Sequence, residues 1–253
     1  VSTTLFFDLD GTLMTNPFWS VVFPKVTESL AEQTGKTPQA LFEVIMAEHD
    51  RRLQNPLADR PLTMDWEDIF ASVAAAQDAH ITFSAEALVI AHAAPPYTET
   101  LDKAPEVLRR LRQNGGRKLV AASMGLSKYQ FPVMRALGLY DCFDDFLTPD
   151  RTGYLKTERG FYADYLGQPD LRIHIGDRYD HDCYFPKSLG ARVVMRLPFT
   201  ELAAPDPFDR PRYLDKLKAR ISGLVDGGIP VPPDAVVIHL RELEGVISRL
   251  ERM

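Results

Sequence analysis

Cysteine is scarce in this 253-residue sequence: only Cys142 and Cys183 occur, at no metal-ligand spacing and too few to staple a secreted scaffold. Each is expected to be a buried thiol in a reducing, cytoplasmic setting. Long apolar runs are also missing. None approaches the roughly 18 residues needed to cross a bilayer, and acids interrupt the first apolar run where a secretion signal would stay apolar. No membrane partner is expected. Nor does positive charge dominate, because 29 Lys and Arg stand against 35 Asp and Glu, for a formal charge of -6. That balance leaves no broad footprint for nucleic acid. The basic cluster Arg109, Arg110, Arg112, Arg117 and Lys118 lacks interleaved aromatics and reads as a solvated helix face. The histidines show no His-Glu-x-x-His or similar spacing, and there is no internal repeat or low-complexity tract.

What remains is an ordinary globular composition, with 45% hydrophobic and 25% charged residues. The length suits one large domain, or a domain with a substantial insert. Leu5-Phe6-Phe7 reads as a buried strand that Asp8 and the turn former Gly11 bring to a stop. From Asn16 to about Ala94 the pattern turns helical: Val21, Val22, Val26 and Leu30; then Leu41, Val44 and Ile45; then Trp66, Ile69, Phe70 and Val73; then Ala85 to Ala94 before Pro95-Pro96. Gly35, Pro38, Pro56 and Pro61 punctuate it.

Beyond Tyr97 helices and strands alternate. Strands are expected at Lys118 to Ala122, Phe143 to Leu147, Leu171 to Ile175, Arg192 to Met195 and Asp234 to Ile238. Helices are expected around Val107 to Leu111, Phe131 to Leu137, Phe161 to Leu166, Tyr184 to Leu189 and Arg241 to Arg252. Leu214, Leu217, Ile221 and Leu224 predict one more amphipathic helix over Tyr213 to Leu224. Alternation of this kind predicts an α/β fold, a doubly wound, Rossmann-like parallel sheet with helices on both faces, because right-handed crossovers put them there. An all-helical domain over 16–98 interrupts it after the first strand, leaving a core of 1–15 and 99–253.

Ligands of such sheets bind beyond the carboxyl ends of the strands. Asp8 and Asp10 follow the first strand, Ser123 the second and Asp177 the fourth, where Gly176 is expected to allow the tight strand-end turn, with Lys156 in the loop after the third. All five are expected to converge on one cleft. Two carboxylates beside one another suit a nucleophile with an acid-base partner. Mg²⁺ takes hard oxygen ligands, which Asp8 and Asp177 can supply. Phosphoryl transfer spreads charge over equatorial oxygens, so a fixed cation and hydrogen-bond donors are also needed; Lys156, Ser123 and backbone N-H groups answer to that, although Arg151 and Arg159 are nearby cations.

Asp8-Leu9-Asp10-Gly11-Thr12, Ser123, Lys156 and Gly176-Asp177-Arg178-Tyr179-Asp180-His181-Asp182 together resemble, in order, the four motifs of the haloacid dehalogenase superfamily, and the resemblance covers most of the chain. It implies that Asp8 forms an aspartyl-phosphate, and that Asp10 protonates the leaving oxygen, later activates water, and ligates Mg²⁺ through its backbone carbonyl. Asp177 would hold the metal, Asp182 (or Asp180) would support it, and Gly11, Thr12, Ser123, Met124 and Lys156 would surround the phosphoryl group. The helical insert resembles that family's C1-type cap, with hinges near Leu13 to Asn16 and Tyr97 to Lys103. An acid at position 10 marks the family's phosphatases and phosphomutases rather than its dehalogenases. Two positions depart from the pattern: Thr157 where a proline commonly follows the motif lysine, and Arg178 where a small residue commonly follows the motif aspartate. Arg178 is left to an anionic substrate or to solvent. The expectation is a phosphatase of a small phosphorylated metabolite. A phosphomutase and a non-catalytic phosphate-binding module are the alternatives.

Overall fold

Every residue of β1 (Thr3–Phe7) is buried, which requires cover on both faces. Leu5 and Phe7 enter the largest apolar cluster, while Phe6 points the other way into a cluster with Tyr162 and Tyr165. The Phe6 ring meets those tyrosines edge-on at centroid distances of 5.5 and 5.1 Å. Such two-sided burial suits a central parallel strand. The computed structural model describes residues 2–55, 57–113 and 115–253, so the break expected at Pro56 lies outside the described residues.

Between β1 and the next strand the chain is helical. A π turn at Phe18–Val22 runs into α1 (Phe23–Thr34), followed by α2 (Pro38–Gln54), α3 (Arg60–Thr63), α4 (Trp66–Ala76) and α5 (Ala85–Ala91). Pro38 and Pro61 sit in the first turns of α2 and α3, where the missing N-H costs nothing, and Thr37, Asp59, Asp65 and Ser84 cap four of these helices. Residues that punctuate the sequence thus start helices here. α5 ends at Ala91, short of the expected Ala94. Phe23 packs edge-on against Trp66 and Phe70, at centroid distances of 4.9 and 5.7 Å, tying α1 to α4.

The alternating part follows: α6 (Ala104–Gln113), β2 (Arg117–Ala122), α7 (Ser127–Ala136), β3 (Asp145–Leu147), α8 (Pro149–Thr152), α9 (Ala163–Leu166), β4 (Leu171–Gly176), α10 (Phe185–Ser188), β5 (Arg192–Arg196), β6 (Ala235–Val237) and α11 (Leu243–Leu250). The six strands are all parallel, in the order β3-β2-β1-β4-β5-β6. Connections therefore reverse direction at β1, and Phe7 at its carboxyl end registers with Ala121 on one side and Ile175 on the other. This is a doubly wound Rossmann-like sheet with a helical insert after its first strand.

The helix expected at Tyr213 to Leu224 is displaced and of another kind. A 3₁₀ run covers Arg210–Arg220, Ile221 is extended and Leu224 lies beyond it. The start is fixed by Arg210, whose guanidinium donates to the carbonyls of Pro205 and Val236 and pairs with Glu242 at 2.8 Å. Leu214 and Leu217, three residues apart, then face the same cluster, as the tighter winding allows. Arg117 is not on a solvated face either: its guanidinium is buried and pairs with Glu251 at 2.7 Å. Both cysteines are free and buried. No helix among the described residues is long and apolar enough to cross a membrane.

Candidate active site

β1 delivers Asp8 to the reversal point. Its backbone N-H donates to the Ile175 carbonyl of β4 at 2.8 Å, the last rung between the two strands. The chain then turns tightly. The N-H groups of Thr12 and Leu13 return to the Leu9 carbonyl at 3.2 and 2.8 Å, and Gly11 takes φ +78°. A side chain at position 11 would be strained by that φ, and its Cβ would overlap the Asp177 carboxylate. The glycine is required twice over.

Asp8, Asp177 and Asp182 present carboxylate oxygens all within 4.8 Å of one another. The Thr12 hydroxyl lies between Asp8 Oδ2 and Asp177 Oδ1, 3.3 Å from each. Lys156 is 1% exposed, and its ammonium contacts Asp8 Oδ1 and Asp182 Oδ1, both at 2.6 Å. Burial raises the Asp182 carboxyl above its ordinary range against the pull of Lys156, and burial together with the charge of Asp8 raises Asp177. These are acids gathered closer than their own charge tolerates, with one ammonium among them. A divalent cation answers that excess, and the donor set of carboxylate oxygens fits a hard ion such as Mg²⁺.

Asp10 is not in this trio. Its carboxyl is partly buried, with Oδ1 shut off from solvent; Oδ2 accepts from Gln130 Nε2 at 2.7 Å, and desolvation pushes its pKa up to about 7. The hydrogen bond from Gln130 pulls the other way, and the charges of Asp8 and Asp177 add to the rise. Ser123, at the end of β2 beside β1, is buried; its N-H donates to the Leu147 carbonyl and its Oγ accepts from Gly125 N-H, both at 3.0 Å. Met124 is half-buried just after it.

The alternatives open in the sequence lie in different places. Asp182 sits in the acidic trio and accepts from Arg178 N-H at 2.9 Å, whereas Asp180 turns to the Arg178 guanidinium at 2.7 Å. Arg178 is half-exposed and spends its charge on that pair. Arg151 and Arg159 are exposed, leaving Lys156 as the cation among the acids. Gly176 also has a different role from the expected turn: it does not take a left-handed φ, but a Cβ there would overlap the Asp182 carboxyl. Gly176→Ala is therefore expected to displace Asp182 and destabilise the protein by about 1–3 kcal/mol, the cost of overpacking. Chemical denaturation of the variant, with and without Mg²⁺, measures both effects.

Two residues escape the sequence motifs. Gln130 is one, with no signal beyond a buried amide on an amphipathic helix. The other is Arg196 at the end of β5, whose Nη1 donates to the Gly11 carbonyl at 2.8 Å and whose Nη2 pairs with Asp102 at 3.0 Å. Asp102 and Lys103 both have positive φ, 48° and 57°, in the linker leaving the helical insert. The two linkers run alongside each other: Leu101 N-H donates to the Leu13 carbonyl at 2.8 Å and Thr15 N-H to Glu99 at 3.0 Å. The insert touches the sheet domain again at α7, where Tyr129 Oη donates to Asp65 Oδ1 at 2.8 Å and Lys128 pairs with Asp65 and Glu67 at 2.8 and 3.1 Å. Arg60 of α3 pairs with Glu158 at 2.7 Å, close in sequence to Lys156.

No curated protein is a sequence match for this chain. Solved structures share its fold. A HAD phosphatase from Thermococcus onnurineus aligns with TM-score 0.69 at 22% identity over 97% of both chains. The putative HAD-hydrolase YfnB from Bacillus subtilis, solved bound to magnesium, aligns at 0.60 and 15% identity over 98% of this chain and 99% of its own. The L-2-haloacid dehalogenase of Xanthobacter autotrophicus gives 0.60 and 17% over the same shares. At such identities the likeness speaks for fold, and fold is shared by both kinds of chemistry. The sequence profile of the haloacid dehalogenase-like hydrolases matches residues 3–190, a span that takes in β1 with its paired acids, Ser123, Lys156 and the acidic loop after β4, and the chain belongs to that family.

Proposed function

We propose that this hydrolase is a Mg²⁺-dependent phosphatase that cleaves a small phosphorylated metabolite through an aspartyl-phosphate on Asp8. The observation that carries the reading is Asp10. Partly buried, two residues from the nucleophile and pushed up to about 7, it is a carboxyl that holds a proton near neutral pH. An alkoxide leaving from phosphorus needs that proton, whereas a departing halide does not.

In this reading Asp8 attacks phosphorus in line while Asp10 protonates the departing oxygen. Asp10, then a carboxylate, takes a proton from the water that hydrolyses the acyl phosphate. Lys156, held against Asp8, offsets repulsion between the carboxylate and its negatively charged target. Ser123 and the backbone around Met124 would supply donors to the phosphoryl oxygens, whereas the N-H groups of Gly11 and Thr12, expected there from the sequence, are spent within the turn on the carbonyls of Met14 and Leu9. Asp8, Asp177, the Asp10 carbonyl and, in support, Asp182 would hold Mg²⁺, which supplies charge neutralisation of the phosphoryl oxygens. The helical insert, taken as 16–98, would close over the pocket and exclude competing water; the contacts of Tyr129 and Lys128 with Asp65 support that role.

The test is phosphate release from a panel of phosphorylated metabolites. Release is expected with Mg²⁺, loss of it in excess EDTA, and recovery on adding Mg²⁺ back. A protein that cleaves no phosphate ester with any divalent ion, or that keeps full activity in EDTA, is not this enzyme.

A further inference from the structure

Gln130 is 3% exposed on α7, where the other buried side chains are Tyr129, Val133 and Met134. Its Nε2 reaches Asp10 Oδ2, 120 positions away in the chain, at 2.7 Å. Two further atoms at this contact are buried and find no partner among the described residues: Gln130 Oε1 and Asp10 Oδ1. Room for the amide comes from Gly125, where a Cβ would overlap the Gln130 side chain. A glycine just before the helix, a long amide on it and an acid in the turn after β1 thus make one unit.

We propose that Gln130 is a positioning residue for the proton donor. Resting on the phosphatase reading, the proposal assigns the two oxygens of Asp10 different work. A carboxyl oxygen that accepts an N-H bond is the poorer place for the proton, so Oδ2, tied to Gln130, anchors the group. Oδ1, left without a partner, carries the proton to the leaving oxygen. The proton moves from Oδ1 to the ester oxygen as the P-O bond breaks, and Asp10 is left as a carboxylate whose charge the amide N-H continues to stabilise. Without Gln130 the carboxyl is free to rotate away, and a misplaced acid loses most of its effect.

The experiment compares kcat/KM for an aryl and an alkyl phosphate among the esters the wild type cleaves, starting with p-nitrophenyl phosphate and glycerol phosphate. This constant spans every step up to leaving-group departure, so it reads the acid directly. Nitrophenolate departs without a proton and an alkoxide does not, so Asp10→Asn sets the reference with a far larger loss on the alkyl ester. Gln130→Met keeps the volume and removes the amide. Gly125→Ala keeps the amide and displaces it. Both are expected to lose about tenfold or more additional activity on the alkyl ester, a part of what a general acid contributes. Comparing two substrates on one preparation cancels any loss of folded protein. Equal losses on both esters, or no loss on either, overturn the positioning role while leaving the phosphatase reading intact. A wild type inactive toward every ester overturns both.

Discussion

Asp8→Asn is expected to lower phosphate release by about four orders of magnitude or more, with the fold retained. The amide has the shape of the carboxylate but not its nucleophilicity, and no other group is placed to replace it. Asp177 and Asp182 lie in the same cluster, but both belong to the segment after β4, and Asp182 is held in addition by the Arg178 N-H. Neither ends the strand at the reversal point. The substitution also removes one negative charge from a crowded site, so thermal stability without Mg²⁺ should hold or rise, and the upward shift of Tm on adding Mg²⁺ should shrink. Asp180→Asn is the matched control, because Asp180 pairs with Arg178 outside the trio. Its turnover should stay within about twofold of wild type, as for a surface acid. Residual turnover in Asp8→Asn above a tenth of wild type would remove Asp8 from the role of nucleophile.

Much of this site is legible in the sequence because its parts sit where parallel sheets put ligands. Asp8 and Ser123 each follow a short apolar run, and Asp177 follows the alternating Leu171-Arg172-Ile173-His174-Ile175, so all three read as strand ends, and side-by-side parallel pairing then brings them together. The central run Leu5-Phe6-Phe7 illustrates why: a strand covered on both faces shows no alternation, and its polar end is conspicuous. The helical insert is legible too, since its stripes keep helical spacing and Pro38 and Pro61 fall at helix starts.

What escapes the sequence depends on contacts between distant positions. Gln130 looks like any polar residue on an amphipathic helix until Asp10 is seen 2.7 Å away. Arg196 reads as the charged end of a strand, and only the turn at Gly11 and the linker at Asp102 reveal it as a tie between them. Gly176 was expected to serve a turn, because glycine usually signals backbone conformation; its reason is the carboxyl of Asp182 packed against it. The run at Arg210–Arg220 shows the same limit in the fold: leucines at three- and four-residue spacing fit either helix type, and the anchors of Arg210 decide between them.

Lys156→Met should have the largest effect on stability. In the metal-free protein the ammonium is the counter-ion of Asp8 and Asp182, and it is fully buried. Methionine fills nearly the same volume, so the loss is electrostatic: breaking a buried pair by removing one partner costs about 3–5 kcal/mol. For a chain of this size that corresponds to roughly 10 °C in Tm. The pH dependence identifies the cause. Burial already raises Asp182 and Asp177 above the ordinary carboxylate range, and without Lys156 they rise further. An acid whose pKa is higher folded than unfolded favours the native state as it takes up its proton, so the variant should regain stability as pH falls from neutral toward about 4, the ordinary carboxylate value. Wild type gains less over that window, since it loses the Lys156 pairs as the same acids protonate. Mg²⁺ should also restore part of the loss at neutral pH by supplying the missing positive charge, while turnover stays low because the cation against Asp8 is gone. Thermal denaturation of both proteins between pH 5 and 8, with and without Mg²⁺, reads each of these. A deficit that does not change with pH or metal would mean that Lys156 acts through packing rather than charge.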